Sequence, residues 1–274
     1  MEILRRTVRQ VISTNSWFYK SCAAAVDFAS IIRRCGLGTY FKLSRAQQPK
    51  NQGGAPLSLS FDNLLHPIII RPGTDDAQTI INNIVREEWG NFQPDQEPVW
   101  MIDGGAYIGD STAYFLSRFP TLRVIALEPD TLTFQTMAKN LEPYENRVRI
   151  INSGLYTHEG KVHFQSGQTA GSIAADGDSE IAVTTLEALL AGDSISRLDI
   201  LKLDIEGAEE VIFSESPEKW LKQVEWLIIE FHSDQGESTI SRILRQNGFT
   251  MRQYRSVWYC HNGAFQSNGH PSDR

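Results

Sequence analysis

Apolar positions along this chain recur with two different periods, and their alternation predicts a layered α/β protein. Short apolar runs suited to buried strands lie at residues 99–102, 124–127, 148–151, 198–203 and 224–231. Segments with helical spacing stand between them. Ala113, Phe115 and Leu116 follow the first run; Phe134, Met137, Ala138 and Leu141 follow the second, ahead of Pro143. Residues 185–190 predict a short helix, and 238–244 another that stops at Gly248. Segments 249–254 and 256–261 read as a terminal antiparallel pair. Strands alternating with helices, then a hairpin, predict a doubly wound, mostly parallel seven-stranded α/β sheet.

Upstream of the sheet the pattern changes. Residues 1–60 read as a basic helical extension ending in a linker, since 46–60 are polar and rich in Gly and Pro. A main domain is expected over 61–262, with residues 68–98 as its lead-in. That lead-in opens on a strand at 68–70, and Thr74 or Asp75 then caps a helix through Ile80, Ile81, Ile84 and Val85. Within 155–185 the pattern suggests a hairpin at 160–164 and a small-residue loop over 166–179. Residues 263–274 read as a flexible tail.

The chemistry is concentrated where the first strand breaks. Asp103 ends it, followed by Gly104, Gly105, Ala106, Tyr107, Ile108 and Gly109; Asp110, Ser111 and Thr112 then begin a helix. A strand, a tight turn and a helix N-terminus offer unpaired backbone N–H groups to a ligand. Gly105 is expected to let the backbone approach that ligand, and Gly109 to let helix and strand pack closely. The spacing is not the dinucleotide fingerprint G-x-G-x-x-G. An acid at the strand end suits a ligand carrying a cation, such as S-adenosylmethionine with its ammonium and sulfonium. Glu128, Pro129 and Asp130 end the next strand, where a carboxylate accepts hydrogen bonds from ribose hydroxyls. Ser153 and Gly154, after the third strand, are expected to wall the nucleoside.

The fourth strand carries Lys202 and Asp204 on one face. A lysine inside an apolar parallel strand needs a neighbouring acid to offset its desolvation, and Asp204 and Glu206 are near enough in sequence. A buried structural ion pair competes with a functional role for Lys202, whereas Asp204 sits at the strand tip beside the ligand crevice. The fifth strand ends in Glu230, Phe231 and His232. A satisfied strand-end histidine competes with catalysis for His232, whose ordinary pKa of about 6.5 suits a general base. Asp204, Glu206, Glu230 and His232 offer oxygen and imidazole donors that suit several divalent ions; the expectation is nevertheless that no metal takes part.

Composition narrows the field. A net charge of −7 argues against a general nucleic-acid binder. Three scattered cysteines, Cys22, Cys35 and Cys260, form no metal or disulfide framework and fit a reducing compartment. No apolar run approaches the roughly 20 residues that span a bilayer, and the first residues carry no signal pattern, so the expected setting is cytoplasmic. Residues 1–50 hold nine Lys or Arg against two acids. A helical arm touching an anionic membrane surface or an acidic partner competes with a packed helix bearing a solvated basic face, and the packed helix is favoured.

Over roughly residues 68–250 the chain resembles the FkbM family of S-adenosylmethionine-dependent methyltransferases. The resemblance rests on Ile70–Asp76, Ile102–Thr112, Glu128-Pro129-Asp130 with Asn140, Thr184-Thr185-Leu186, Leu201–Glu209 and Ile229–His232. The run from Lys202 to Glu209 is the most diagnostic part. Gly104 departs from the family, which usually has a small aliphatic residue there. The resemblance implies O-methylation of a hydroxyl on a sugar, glycan or natural product. On that reading Asp103 and the 104–109 amides hold the amino-acid end of the donor and Glu128 its ribose. His232 is then the first candidate base, with Lys202 and Asp204 orienting the acceptor or sharing that task. A nicotinamide-dependent oxidoreductase and a catalytically silent nucleoside-binding module are the alternatives.

Overall fold

The computed structural model describes residues 17–165, 172–173, 177 and 179–265. The chain divides into two compact units, Met1–Glu87 and Glu88–Arg274. The division falls after the lead-in strand and helix, which group with the N-terminal segment.

In the first unit a long helix, α1 (Trp17–Ala46), is broken at Gly36, whose φ of +79° only glycine adopts freely. Phe28 and Tyr40 meet edge to face at 4.7 Å across the break. The expected linker contains a short strand, β1 (Leu57–Leu59), because Leu57 and Leu59 find apolar partners in Ile70 and Ile68 of the antiparallel β2 (Ile68–Ile70). Helix α2 (Asp76–Ile80) begins with Thr74 Oγ1 accepting from the Asp76 amide at 3.3 Å. A wider turn, Ile81–Val85, completes the apolar stripe. The Asp76 carboxylate is turned back onto Arg71 at 2.8 Å.

The second unit is built in chain order from β3 (Trp100–Gly104), α3 (Asp110–Arg118), β4 (Arg123–Leu127), α4 (Thr131–Leu141) and β5 (Val148–Ile151). A small-sheet segment follows: β6 (Gly154–Leu155), β7 (Gly160–Gln165), β8 (Ser172–Ile173) and β9 (Ser179–Thr184). The chain then returns through α5 (Leu186–Gly192), β10 (Leu198–Leu203), α6 (Ala208–Ser214), α7 (Glu218–Leu221) and β11 (Val224–Glu230). It closes with α8 (Asp234–Gln246), β12 (Phe249–Tyr254) and β13 (Val257–Asn262). The main sheet has seven strands in the order β12-β13-β11-β10-β3-β4-β5. Strands β3, β4, β5, β10 and β11 run parallel, and β12 and β13 are antiparallel. The expected doubly wound architecture is what the chain adopts.

Strand order puts β10 beside β3, with Lys202 opposite Asp103 and Leu203 opposite Gly104. At the other end of this pair, Asp199 Oδ2 accepts from the amides of Val99 at 2.9 Å and Trp100 at 2.8 Å. Ile102, Ile125, Leu201, Leu203, Leu227 and Ile229 fill one face of the sheet and are fully buried. Each such side chain contributes about 1.5–3 kcal/mol relative to exposure. All five parallel strands therefore deliver their carboxyl ends to one rim, the ligand-binding side of an open α/β sheet.

The small sheet, in the order β6-β9-β7-β8, was expected only as a hairpin. Strand β7 pairs antiparallel with the following β8 and also with β9, where Ile181 and Val183 alternate inward to meet Phe164. Most of the small-residue loop lies outside the described residues, as do residues 266–274 of the expected tail; Gly263–Phe265 make one turn of 3₁₀ helix. Among the described residues, no helix is long and apolar enough to cross a membrane.

Candidate functional site

At the sheet rim the β3–α3 turn is held from beneath. Asp103 is fully buried, and its Oδ2 accepts from the hydroxyls of Ser111 and Thr112, each at 2.7 Å. Its Oδ1 lies 3.0 Å from Lys202 Nζ. Enclosed by these three side chains, Asp103 does not face the crevice as expected; it fixes the turn. Lys202 also donates to the Gly105 carbonyl at 3.1 Å, lies 3.8 Å from Asp204 Oδ2, and packs over the Trp89 ring at 5.5 Å. Burial pulls the Lys202 ammonium down, but Asp103 and Asp204 outweigh it and hold the group above its usual range. The acid nearest Lys202 is Asp103, on the neighbouring strand, rather than Asp204 or Glu206. At 2 % side-chain exposure Lys202 is enclosed beneath the turn rather than open at the rim.

The glycines do different work from that expected. Gly105, at φ +71°, allows a close approach to protein: a Cβ there would stand 1.8 Å from the Asp204 carbonyl oxygen. A Cβ at Gly104 would stand 2.6 Å from Leu155 Cδ1, so that side chain would have to shift to admit one. Gly109, at φ +83°, packs on α4 rather than on a strand, with Leu141 and Met137 at 3.0 and 3.1 Å from the Cβ position. Ala106 donates to the Leu127 carbonyl at 2.9 Å, and Asn140 Nδ2 donates to the Ile108 carbonyl at 2.8 Å. Gly109 is the N-cap of α3 and supplies no side-chain cap, and Asp110 in the first turn is buried; the first amides of a helix are those its own carbonyls cannot engage.

Glu128 is the hinge between this turn and the next strand tip. Its Oε2 accepts from the Tyr107 amide at 3.1 Å and its Oε1 from the Asp130 amide at 2.8 Å. Tyr107 sits at φ +51°, a conformation its amide bond to Glu128 helps hold. Asp130 caps α4 by accepting from the Thr133 amide at 2.8 Å, which engages its carboxylate within the fold. Ser153 is buried and its hydroxyl donates to the Gly154 carbonyl at 3.2 Å. Gly154 lies alongside Pro129, 3.8 Å from its Cβ position. Asn152, which the sequence reading passed over, donates to the carbonyls of Glu128 at 2.8 Å and Pro129 at 3.0 Å, joining the tips of β4 and β5.

A second group of side chains stands at the tips of β10 and β11. His232 Nε2 lies 3.5 Å from Asp204 Oδ1 and 3.6 Å from Glu206 Oε2, while Nδ1 lies 3.2 Å from Glu209 Oε1. Glu209 is buried and accepts from the amides of Ile205 and Gly207, each at 2.8 Å. Burial pushes the Glu209 carboxyl up, but its bonds to His232 and the Ile205 amide outweigh that and hold it below its usual range. The same bond raises His232 to about 9, with Asp204 and Glu206 adding to it. Glu206 adopts φ +54° and its pKa is raised by burial. Glu230 is raised to about 7 by burial and by the nearby Asp204 and Glu88 charges. Glu88 accepts from the Ser256 hydroxyl at 2.6 Å, so the β12–β13 turn also closes on this corner.

The structure thus brings Asp204, Glu206 and His232 together at the rim, and Glu128 with the amide-bearing turn beside them. It withdraws Asp103 and Lys202 beneath the turn. Glu209 escaped sequence reasoning because an acid in a helix's first turn is ordinary; its place opposite His232 depends on β10 and β11 being neighbours.

Residues 103–251 match the family model described as the Methyltransferase FkbM domain. Methyltransferase 1 of Beauveria bassiana (strain ARSEF 2860) is 24% identical over 212 residues, covering 67% of this chain and 85% of that protein. Methyltransferase sdnD of Sordaria araneosa is 23% identical over 223 residues, covering 67% and 86%. Among solved structures, Methyltransferase FkbM from Methylobacillus flagellatus KT aligns over 86% of this chain at 18% identity with a TM-score of 0.48. This chain spans 61% of that protein's length.

Proposed function

The chain belongs to the FkbM methyltransferase family, and on that premise we propose that it moves a methyl group from S-adenosylmethionine to a hydroxyl oxygen of a sugar, glycan or natural product. The observation that carries this reading is Glu128, one carboxylate at the tip of β4 that also holds the amide of Tyr107 in the turn before α3. Next to it, the N-terminus of α3 has no side-chain cap. An uncapped helix start suits a carboxylate, and a strand-tip acid suits vicinal hydroxyls; the residues present therefore fit the two polar ends of this donor. When bound, the donor supplies a methyl on a positively charged sulfur.

The amides at the start of α3 bind the donor's amino-acid end, and Glu128 binds its ribose. Asp103 and Lys202 keep the turn in place from below, which restricts the donor to one pose. Asp204, half-exposed at the neighbouring strand tip, accepts the hydrogen bond of the acceptor hydroxyl and aligns its oxygen. Alignment of this kind supplies much of the rate in a displacement reaction. His232 was expected to be the base, yet both ring nitrogens already face carboxylates. We therefore assign it to holding Asp204 and Glu206, with the hydroxyl proton leaving by way of Asp204 to solvent. The free thiols Cys35 and Cys260 support a cytoplasmic setting.

The test is calorimetric titration of the full chain with S-adenosylhomocysteine and, separately, NADH, followed by methyl transfer from labelled donor to a panel of hydroxyl compounds. Binding of S-adenosylhomocysteine alone, with label appearing in a hydroxyl compound, is the expected result. NADH binding without S-adenosylhomocysteine binding would overturn the reading in favour of an oxidoreductase.

A further inference from the structure

Asp204, Glu206 and His232 each offer one ligand atom to a common space, with all three atoms within 4.8 Å of one another. We propose that this corner binds a divalent metal ion through Asp204, Glu206 and His232 Nε2, contrary to the sequence expectation of no metal. The proposal rests on the methyl-transfer reading for its purpose, since the ion would sit beside the acceptor oxygen that Asp204 aligns.

Three observations support it. The donor set is mixed, two carboxylates from the loop after β10 and one imidazole nitrogen from the residue just past β11; the carboxylates suit Mn²⁺ and Mg²⁺ and the imidazole favours first-row transition ions, so Mn²⁺ meets both. The separations fit as well. His232 Nε2 stands 3.5 and 3.6 Å from its two carboxylate neighbours, beyond the usual N–H···O range of about 2.7–3.2 Å. Ligands bound at about 2.1 Å in an octahedron lie roughly 3.0 Å apart when adjacent and 4.2 Å when opposite, so small side-chain adjustments bring these atoms onto one ion.

The third observation lies outside the ligand group. Glu209 is buried, is fixed by two backbone amides, and takes the Nδ1 side of His232 at 3.2 Å. A carboxylate behind one ring nitrogen fixes the tautomer and turns the other nitrogen's lone pair toward a metal. The side chains of Asp204, Glu206 and His232 are 30, 41 and 25 % exposed, leaving room for water or an acceptor oxygen to complete the coordination. An ion there would draw electron density from a hydroxyl oxygen bound beside it and ease loss of its proton to solvent.

The test uses the full chain stripped with chelator and titrated with Mn²⁺, followed by the paramagnetic resonance signal of the free ion. The expected result is one Mn²⁺ bound per chain, competed by Mg²⁺. Glu206→Gln should weaken binding at least tenfold, and Glu209→Gln by about 10- to 100-fold through loss of histidine orientation. S-adenosylhomocysteine titration of the same samples reports folding and separates the two readings. A chain that binds S-adenosylhomocysteine but leaves millimolar Mn²⁺ free, or a Glu206→Gln variant that binds Mn²⁺ as wild type does, overturns the metal site and leaves methyl transfer standing. Mn²⁺ bound through these residues while S-adenosylhomocysteine is ignored would sustain the site and sink the methyl-transfer reading.

Discussion

The Lys202 ammonium lies 3.0 Å from Asp103 Oδ1, and both groups are buried between neighbouring strands. The pair is what a lysine inside a parallel strand requires. Removing one partner leaves a charge uncompensated in a low-dielectric interior. Lys202→Met should therefore lower the unfolding free energy by about 3–5 kcal/mol in a urea titration. The double variant Asp103→Asn with Lys202→Met should recover part of that loss; a single variant of wild-type stability would refute the account.

Gly105→Ala should be the most damaging small substitution in the turn. Its Cβ would overlap the Asp204 carbonyl at 1.8 Å, and its φ of +71° disfavours any side chain. The expected outcome is a folded sheet with a displaced turn, read as lost S-adenosylhomocysteine binding while the far-ultraviolet circular dichroism is kept.

Glu128→Gln keeps the size of the side chain and removes its charge. Hydrogen bonds to charged groups are worth about 1.5–3 kcal/mol. Affinity for S-adenosylhomocysteine should fall by about 10- to 100-fold in calorimetry. Unchanged affinity would take Glu128 out of the donor site.

Glu209→Gln should separate binding from turnover. The residue contacts His232 and two backbone amides and stands behind the imidazole rather than at the donor turn. Donor affinity should stay within about twofold while kcat drops by about 10- to 100-fold. An equal loss in both would mark Glu209 as structural support only.

Thiol chemistry offers a pH-dependent check. Burial raises the Cys35 thiol above its ordinary value, opposed by its bond to Thr39. A raised pKa means less thiolate at any given pH below it. Peptide-mapped alkylation of Cys35 should thus rise with pH later than that of free cysteine, and Cys260, fully buried, should stay unlabelled until the chain unfolds.

The strand ends were legible because a parallel sheet spells its buried strands as apolar runs, and an acid closing such a run stands out. That signal singled out Asp103, Glu128 and Asp204 without any spatial information, and His232 stood out as the titratable end of the fifth run. It did not say which of them touch. Lys202 announced a need for an acid, but the nearest one is 99 positions away in Asp103's strand, and only the strand order makes them neighbours. Glu209 and Asn152 were hidden for the same reason: each is ordinary in its own segment and gains meaning from the tip of an adjacent strand. The parallel β6–β9 pairing left no trace in periodicity, because β6 has only two residues, too few to show one.

Asp199 grips the first amides of β3 at one end of the β3–β10 ladder, and the buried lysine pair locks the other. Two strands riveted at both ends cannot slide past each other by even one residue without breaking every rivet. The floor beneath the reacting groups is accordingly stiff, and adaptation to differently shaped acceptors falls to the segments that leave the sheet's rim.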